Sequence, residues 1–297
     1  MMKHLILLMA FLYSSCATQN RQPQQDGSLT ALIRSGQNVY FENQAFDEAV
    51  DFTAFLPENL ISPGVYQSAV PSSITFKGCT FKKPVTAYRQ EQGGKVVFAR
   101  FAGNVSFIEC QFQDEVNFRG SSILGPADFT GSFFAKGASF EEASFHQNAY
   151  FKGCNFQGGL RFQNSFFIQK ANFMEAQFNG TANFQQTVFN AELQWSLAKF
   201  YGYAELSLID CRSNAFFNYA EFRGRADFSN STFSRNLDCI GTYHERTAFD
   251  NCRFMGEVKF FKSSVENALS FQDCFFLFGA PQLDFLPEDK VVVRARK

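Results

Sequence analysis

From Phe107 onward, large apolar residues recur at intervals that alternate between five and six. The run begins Phe107, Phe112, Phe118, Ile123, Phe129, Phe134, Phe140 and Phe145 and continues to Cys239. Of these 25 positions 20 are Phe, the exceptions being Ile123, Trp195, Leu206, Cys211 and Cys239. Two residues before each stands a second row, uncharged throughout, in which 12 of 25 are Ala, among them Ala127, Ala149 and Ala171. Residues two apart in an extended segment point to the same side. Each short segment therefore sends one small and one large side chain inward. The residue between them is mostly polar, as at Asn117, Asp128, Asn172 and Asp227, and faces water.

Geometry bounds the coil. A closed loop of 11 residues has a perimeter of roughly 36 Å at about 3.3 Å per residue, and its inward rings would collide. Twice that length makes room for four inward rings, so the pattern predicts four-sided coils of 22 residues. Gly158, Gly180, Gly202 and Gly224 recur at that spacing within one six-residue gap, and Asn148, Asn214 and Asn236 lie in the other. Both sets are expected at corners that need a positive φ.

The rhythm starts at Phe41, Phe46 and Phe52, lapses from Thr53 to Ser73 and resumes at Phe76 and Phe81. A second lapse, around 88–95 (YRQEQGGK), reads as a protruding loop and a candidate binding insertion. A third is a one-residue deletion between Cys239 and Phe249. Ahead of the repeat, 28–36 (SLTALIRSG) predicts a short helix with Ser28 as N-cap, Leu29, Leu32 and Ile33 on one face and Gly36 as terminator.

Composition agrees with repetition. Phe occurs 41 times against one Trp and nine Tyr, as expected when one packing environment recurs. A net charge of -1 supplies neither a basic patch for nucleic acid nor an acidic excess to imitate it. Lys3 and His4, the apolar run Leu5 to Leu12, and Tyr13-Ser14-Ser15-Cys16 read as an export signal too short to span a bilayer. Residues 17–27 (ATQNRQPQQDG) have the polar composition of a tether.

The units Ala127-Asp128-Phe129, Ala171-Asn172-Phe173, Ala182-Asn183-Phe184 and Ala226-Asp227-Phe228 resemble those of pentapeptide-repeat proteins, which run Ala, Asp or Asn, a central Leu or Phe, then two variable residues. The resemblance covers about four fifths of the chain and implies an all-β fold, a right-handed quadrilateral parallel β-helix. Inserting one residue in every second unit departs from the family's strict period of five. Some members mimic DNA and bind type II topoisomerases, but those are cytoplasmic and markedly acidic. The N-terminus also resembles a bacterial lipoprotein signal, which implies that Cys16 becomes the lipidated first residue; Tyr13 stands where such signals usually carry Leu. The expected organisation is a signal peptide (1–15), a tether (16–27), a helical cap (28–40), a β-helix (41–281) and a C-terminal tail (282–297).

Candidate chemistry is sparse. Tyr201, Tyr203, Phe216 and Tyr219 are outward aromatics on neighbouring coils, a candidate recognition patch. At the third break Tyr243, His244, Glu245 and Arg246 cluster, with His244 where the register asks for an inward Phe. The bland reading there is a distorted corner with solvated charges. Cys79, Cys110, Cys154, Cys252 and Cys274 fall at small inward positions, and no CxxC or Cys/His spacing suggests a metal. Cys252 and Cys274 are 22 apart, which makes them a candidate disulfide. No catalytic set or cofactor motif is expected. The leading expectation is a non-enzymatic structural or protein-interaction rod, extracytoplasmic and membrane-anchored, with an unidentified protein or glycan partner and no nucleic acid. The alternative is a glycan-binding or glycan-active β-helix, which would need convergent carboxylates on one outer face.

Overall fold

A computed structural model describes residues 29–54 and 56–295. The export signal, Cys16, the tether and the Ser28 cap lie outside the described residues. Nearly all of the remainder is β-structure wound as a parallel solenoid. Ala127 pairs with Ala149, Ala149 with Ala171 and Phe112 with Phe134, so the regular coil is 22 residues. One face is a ten-stranded sheet running from Val39–Glu42 to Val258–Lys259, with nine full turns between its ends.

All 25 large positions and all 25 small ones between Val105 and Cys239 are buried to 2% exposure or less. Rings of successive coils stack directly: Phe140 lies 4.8 Å from Phe162 at 9° and Phe162 lies 5.0 Å from Phe184 at 7°. Around each coil the neighbouring columns meet edge to face, as Phe129 and Phe140 do at 5.3 Å and 79°. Offset stacks and edge contacts are the arrangements the ring quadrupole favours, so one residue type satisfies both directions. Trp195 tilts 45° against Phe173, and its coil carries Leu206 and Cys211, both smaller than Phe, in compensation.

The corners differ from expectation. Gly158, Gly180, Gly202 and Gly224 do not have positive φ. They are glycines because the corners of successive coils nest. A Cβ on Gly202 would stand 2.3 Å from the Gly180 carbonyl oxygen, and one on Gly224 would stand 2.4 Å from that of Gly202. Asn148, Asn214 and Asn236 also avoid positive φ. Asn214 and Asn236 act through their side chains: Asn214 Oδ1 accepts the Asn236 N–H at 3.2 Å, and Asn236 Oδ1 accepts the Glu257 N–H at 3.1 Å.

Positive φ falls instead in the five-residue gaps, two residues after the inward residue that opens each gap. Residues 109, 120, 131, 142, 153, 164, 175, 186, 197, 208, 219, 230 and 241 all adopt it. There, in most coils, the carbonyl of the inward residue accepts the N–H three residues on, as Phe129 does from Ser132 at 3.1 Å, which defines a type II turn; at Cys110, Ile209 and Thr242 a Ser hydroxyl of the next coil accepts that N–H instead. Glycine or Asn is preferred at its third position, yet Glu109, Glu175, Gln186, Leu197, Leu208 and Tyr219 occupy it. Coil closure outweighs the local preference.

The first two lapses are hairpins. Val39 and Ile74 are register partners 35 residues apart, and Ile74 and Val105 are partners 31 apart. The excess folds outward as Glu58–Ser62 antiparallel to Val65–Val70, and Tyr88–Gln90 antiparallel to Val96–Phe101. The segment 88–95 is thus the outer part of a hairpin: strand over Tyr88–Gln90, then a bend through Gly93 and Gly94, both at positive φ. The two hairpins stack, because Val65–Val70 pairs in parallel with Val96–Phe101.

The helix Leu29–Arg34 covers the first coil through the buried Leu32 and Ile33. At the other end, the segment read as a tail packs back on the solenoid. Leu283 and Leu286 are buried, and Val291–Ala295 adds in parallel to the last long strand, Ser264–Phe276.

Candidate functional site

The deletion after Cys239 sits at the corner where the Gly158–Gly224 column would continue. Phe222 pairs with His244, and Arg225 with Arg246, so the removed residue is the nested one. Two short strands then merge into one: Glu221–Asp227, Tyr243–Ala248 and Ser264–Phe276 run through the corner. His244 is fully buried and stacks on Phe222 at 5.4 Å and 13°. Its Nε2 lies 2.9 Å from the Thr242 hydroxyl and its Nδ1 lies 2.9 Å from the Thr247 hydroxyl. Burial pushes its pKa down to about 3, so it is neutral across the physiological range.

The other members of the cluster point elsewhere. The Tyr243 hydroxyl bonds Glu266, Glu245 accepts from Asn267 Nδ2 at 2.7 Å, and Arg246 is exposed. The expected four-residue constellation is therefore divided between core and surface: the imidazole is a satisfied core residue at the inward position, while Arg246 is exposed.

The aromatic patch is likewise divided. Tyr201 and Tyr203 flank Gly202 at a nested corner, Phe216 lies on the ten-stranded sheet, and Tyr219 holds a type II turn position. No ring contact joins the four among the described residues. What forms at the corner is a cation–aromatic ladder that the sequence reading missed. Arg223 sits over Tyr201 at 6.0 Å and Tyr243 at 5.7 Å, while Arg225 sits over Tyr203 at 5.6 Å. The register of 22 with one deletion was the available signal. Burial and a 2.6 Å bond to Glu205 raise the Tyr203 hydroxyl pKa.

The seven cysteines among the described residues are free thiols. Cys252 and Cys274 stack on adjacent coils but are not bridged. Each points at a backbone carbonyl: Cys252 Sγ lies 3.0 Å from Phe228 O, and Cys274 Sγ lies 2.8 Å from Phe249 O. Ser132, Thr187 and Ser263 do the same with their hydroxyls, at 2.6, 2.7 and 2.6 Å. The small inward position is thus a capping site for the turn carbonyl, which suits a thiol or hydroxyl equally. Burial raises the pKa of Cys154, Cys211 and Cys239, leaving them unreactive thiols.

Two further places combine exposure with polar or apolar convergence, the first of them at the 88–95 insertion. On the hairpins, Glu58 pairs with Lys95 at 2.5 Å and with Arg89; the Lys95 bond leads in lowering the Glu58 pKa. Leu60 and Ile61 are exposed at the outer edge of this pair.

The second place is the C-terminal end. Here a groove of about 630 Å³ opens between the last strand of the ten-stranded sheet and residues 278–285. Phe260, Phe261, Phe278 and Phe285 are among its walls. In this sheet the N–H groups of alternate residues bond to the following coil, as Leu237 does to Glu257 O and Cys239 to Lys259 O. Val258 and Phe260 continue that row with no following coil, and their N–H groups have no acceptor among the described residues.

The family described as Pentapeptide repeats (9 copies) matches residues 99–144 and 140–188. No curated protein matches the chain. Among solved structures, a trypsin-treated variant of QnrB1, a plasmid-mediated fluoroquinolone resistance protein, aligns with 77% of this chain and 91% of its own. It does so at 13% identity and a TM-score of 0.22, a likeness too slight to bear on fold or function. The repeat match lies inside a run of coils that keeps the same inward rows from Val105 to Cys239, and over residues 99–188 the chain carries pentapeptide repeats.

Proposed function

We propose that this protein is a non-enzymatic interaction rod held at a bacterial envelope membrane through a lipid on Cys16. The observation that carries the reading is the division of labour in the repeat. Inward rows are committed to stacking, and outward charges are paired along the rod between neighbouring coils, as in Lys170–Glu192 at 2.6 Å and Lys136–Asp114 at 2.7 Å. Such a surface is long, β-rich and mixed in charge, which suits display and contact. The apolar run before Cys16 and the polar segment 17–27 supply an address and a spacer. Anchoring by one acyl chain alone is marginal, so the mature lipoprotein would need more than one.

Fractionation tests the anchor. The Cys16→Ala chain is expected in the soluble extracytoplasmic fraction and the parent chain in the membrane fraction. Equal membrane association of the two overturns the reading.

A further inference from the structure

We propose that the C-terminal groove binds an extended, apolar peptide segment of another protein, which adds as the eleventh strand of the ten-stranded sheet. This inference rests on the reading of the rod as an interaction module and names where the partner sits. Val258 pairs with Leu237, so in a parallel ladder its own N–H and carbonyl point away from that partner, toward the groove. The Phe260 N–H points the same way. Buried or half-buried backbone groups without partners are rare, and a sheet edge that presents them is a template for another strand. An extended peptide supplies the matching acceptor and donor at the required spacing; a compact small molecule does not.

The walls add side-chain recognition. Phe261 and Phe278 are 63% and 69% exposed, with Phe285 at 46% beside them, so three exposed rings gather at one end of the rod. Exposed apolar surface of this kind marks contact sites. Charge then sets the sign of the partner. Lys259 is already engaged by Glu257 at 3.3 Å and Asp238 at 3.8 Å, whereas Asp284 has no cation partner among the described residues. The groove is net acidic, and its occupant carries basic residues beside its apolar ones.

A second copy of this chain fits less well for two reasons on the same geometry. The open edge is the floor of a groove walled by 278–285, and two recessed edges cannot meet. Two copies would also set like charge against like.

The test uses the full chain and a fluorescent peptide of alternating valine and phenylalanine with a lysine at each end, followed by anisotropy. Saturable binding below about 1 mM is expected. At least a tenfold weakening should follow N-methylation of the peptide's alternate amides, replacement of its lysines by glutamate, or the Phe261→Asp or Phe278→Asp substitution. Those side chains are exposed, so both variants should melt with the parent. Binding should also slow hydrogen exchange at the Val258 and Phe260 amides. No saturable binding, or equal binding of the N-methylated peptide, overturns the inference. So does sedimentation as a dimer with those two amides already protected, which identifies a second copy as the occupant. Failure here with Cys16→Ala still released from the membrane removes this site alone; failure of release removes the anchoring reading alone.

Discussion

The buried imidazole at the deletion makes a quantitative prediction about acid. His244 is held neutral with a pKa of about 3, against an ordinary value of 6.5. In the unfolded chain it takes up a proton as pH falls through about 6.5, while in the folded chain it does not until about 3. Its contribution is therefore complete above pH 6.5, declines between 6.5 and 3, and is fully lost below. Linkage for one site gives a loss of about 2 kcal/mol at pH 5 and about 3 kcal/mol at pH 4, relative to pH 8.

Surface carboxylates also titrate in this range, so a reference protein is needed. His244→Phe alone would continue the Phe222 column but strand the Thr247 hydroxyl, whose bond is to the imidazole, at a cost of about 1 to 3 kcal/mol. The double variant His244→Phe/Thr247→Val removes the ionisable group and its orphan together. Stability in solenoids is carried by repeats and their neighbours, so the loss should be regional. The assay is native-state hydrogen exchange from pH 8 to 4, corrected for intrinsic rates, at Phe228 and Phe249, whose N–H groups bond across this region to Ala248 and Ser270. The parent should lose about 2 kcal/mol more protection than the double variant between pH 8 and 5. Parallel pH dependences in the two proteins would refute the assignment of a neutral, proton-excluding His244.

Two further predictions separate the reasons a corner residue is what it is. Gly202→Ala places a methyl 2.3 Å from the Gly180 carbonyl oxygen, so thermal unfolding should show a loss of at least about 1 to 3 kcal/mol from overpacking; an unchanged melt would disprove the nested corner. Leu208→Asn, at an exposed position with φ of 60°, should raise stability by roughly 0.5 to 1 kcal/mol, because Asn tolerates the left-handed region that Leu resists; a loss in the same melt would mean the Leu208 side chain packs usefully.

How much was legible depended on whether a property belongs to one residue or to a pair of coils. Inward and outward positions were readable from Phe140, Phe162 and Phe184 because pleat alternation is local and repeats many times. The 22-residue register followed, since only one coil length gives those rings room. The corner glycines marked the period correctly, but their cause was hidden. A residue's φ and its distance to the next coil are both reasons for glycine, and one sequence does not distinguish them. Likewise the segment 88–95 signalled an insertion, whereas its pairing with Glu58–Ser62 through the Val65–Val70 and Val96–Phe101 strands required two distant lapses to meet in space. His244 was seen at an inward site, yet its two hydroxyl partners emerged only once Thr242 and Thr247 were placed around the same ring.

By itself the sequence determined the rod: a Phe-cored, four-sided coil whose strands are fixed by a period that no globular core would maintain. Tertiary structure decided the ends and the corners. Nesting of one backbone against the next is a contact between residues 22 apart, and the open Val258 edge beneath Phe278 exists because the coil stops there while the chain does not.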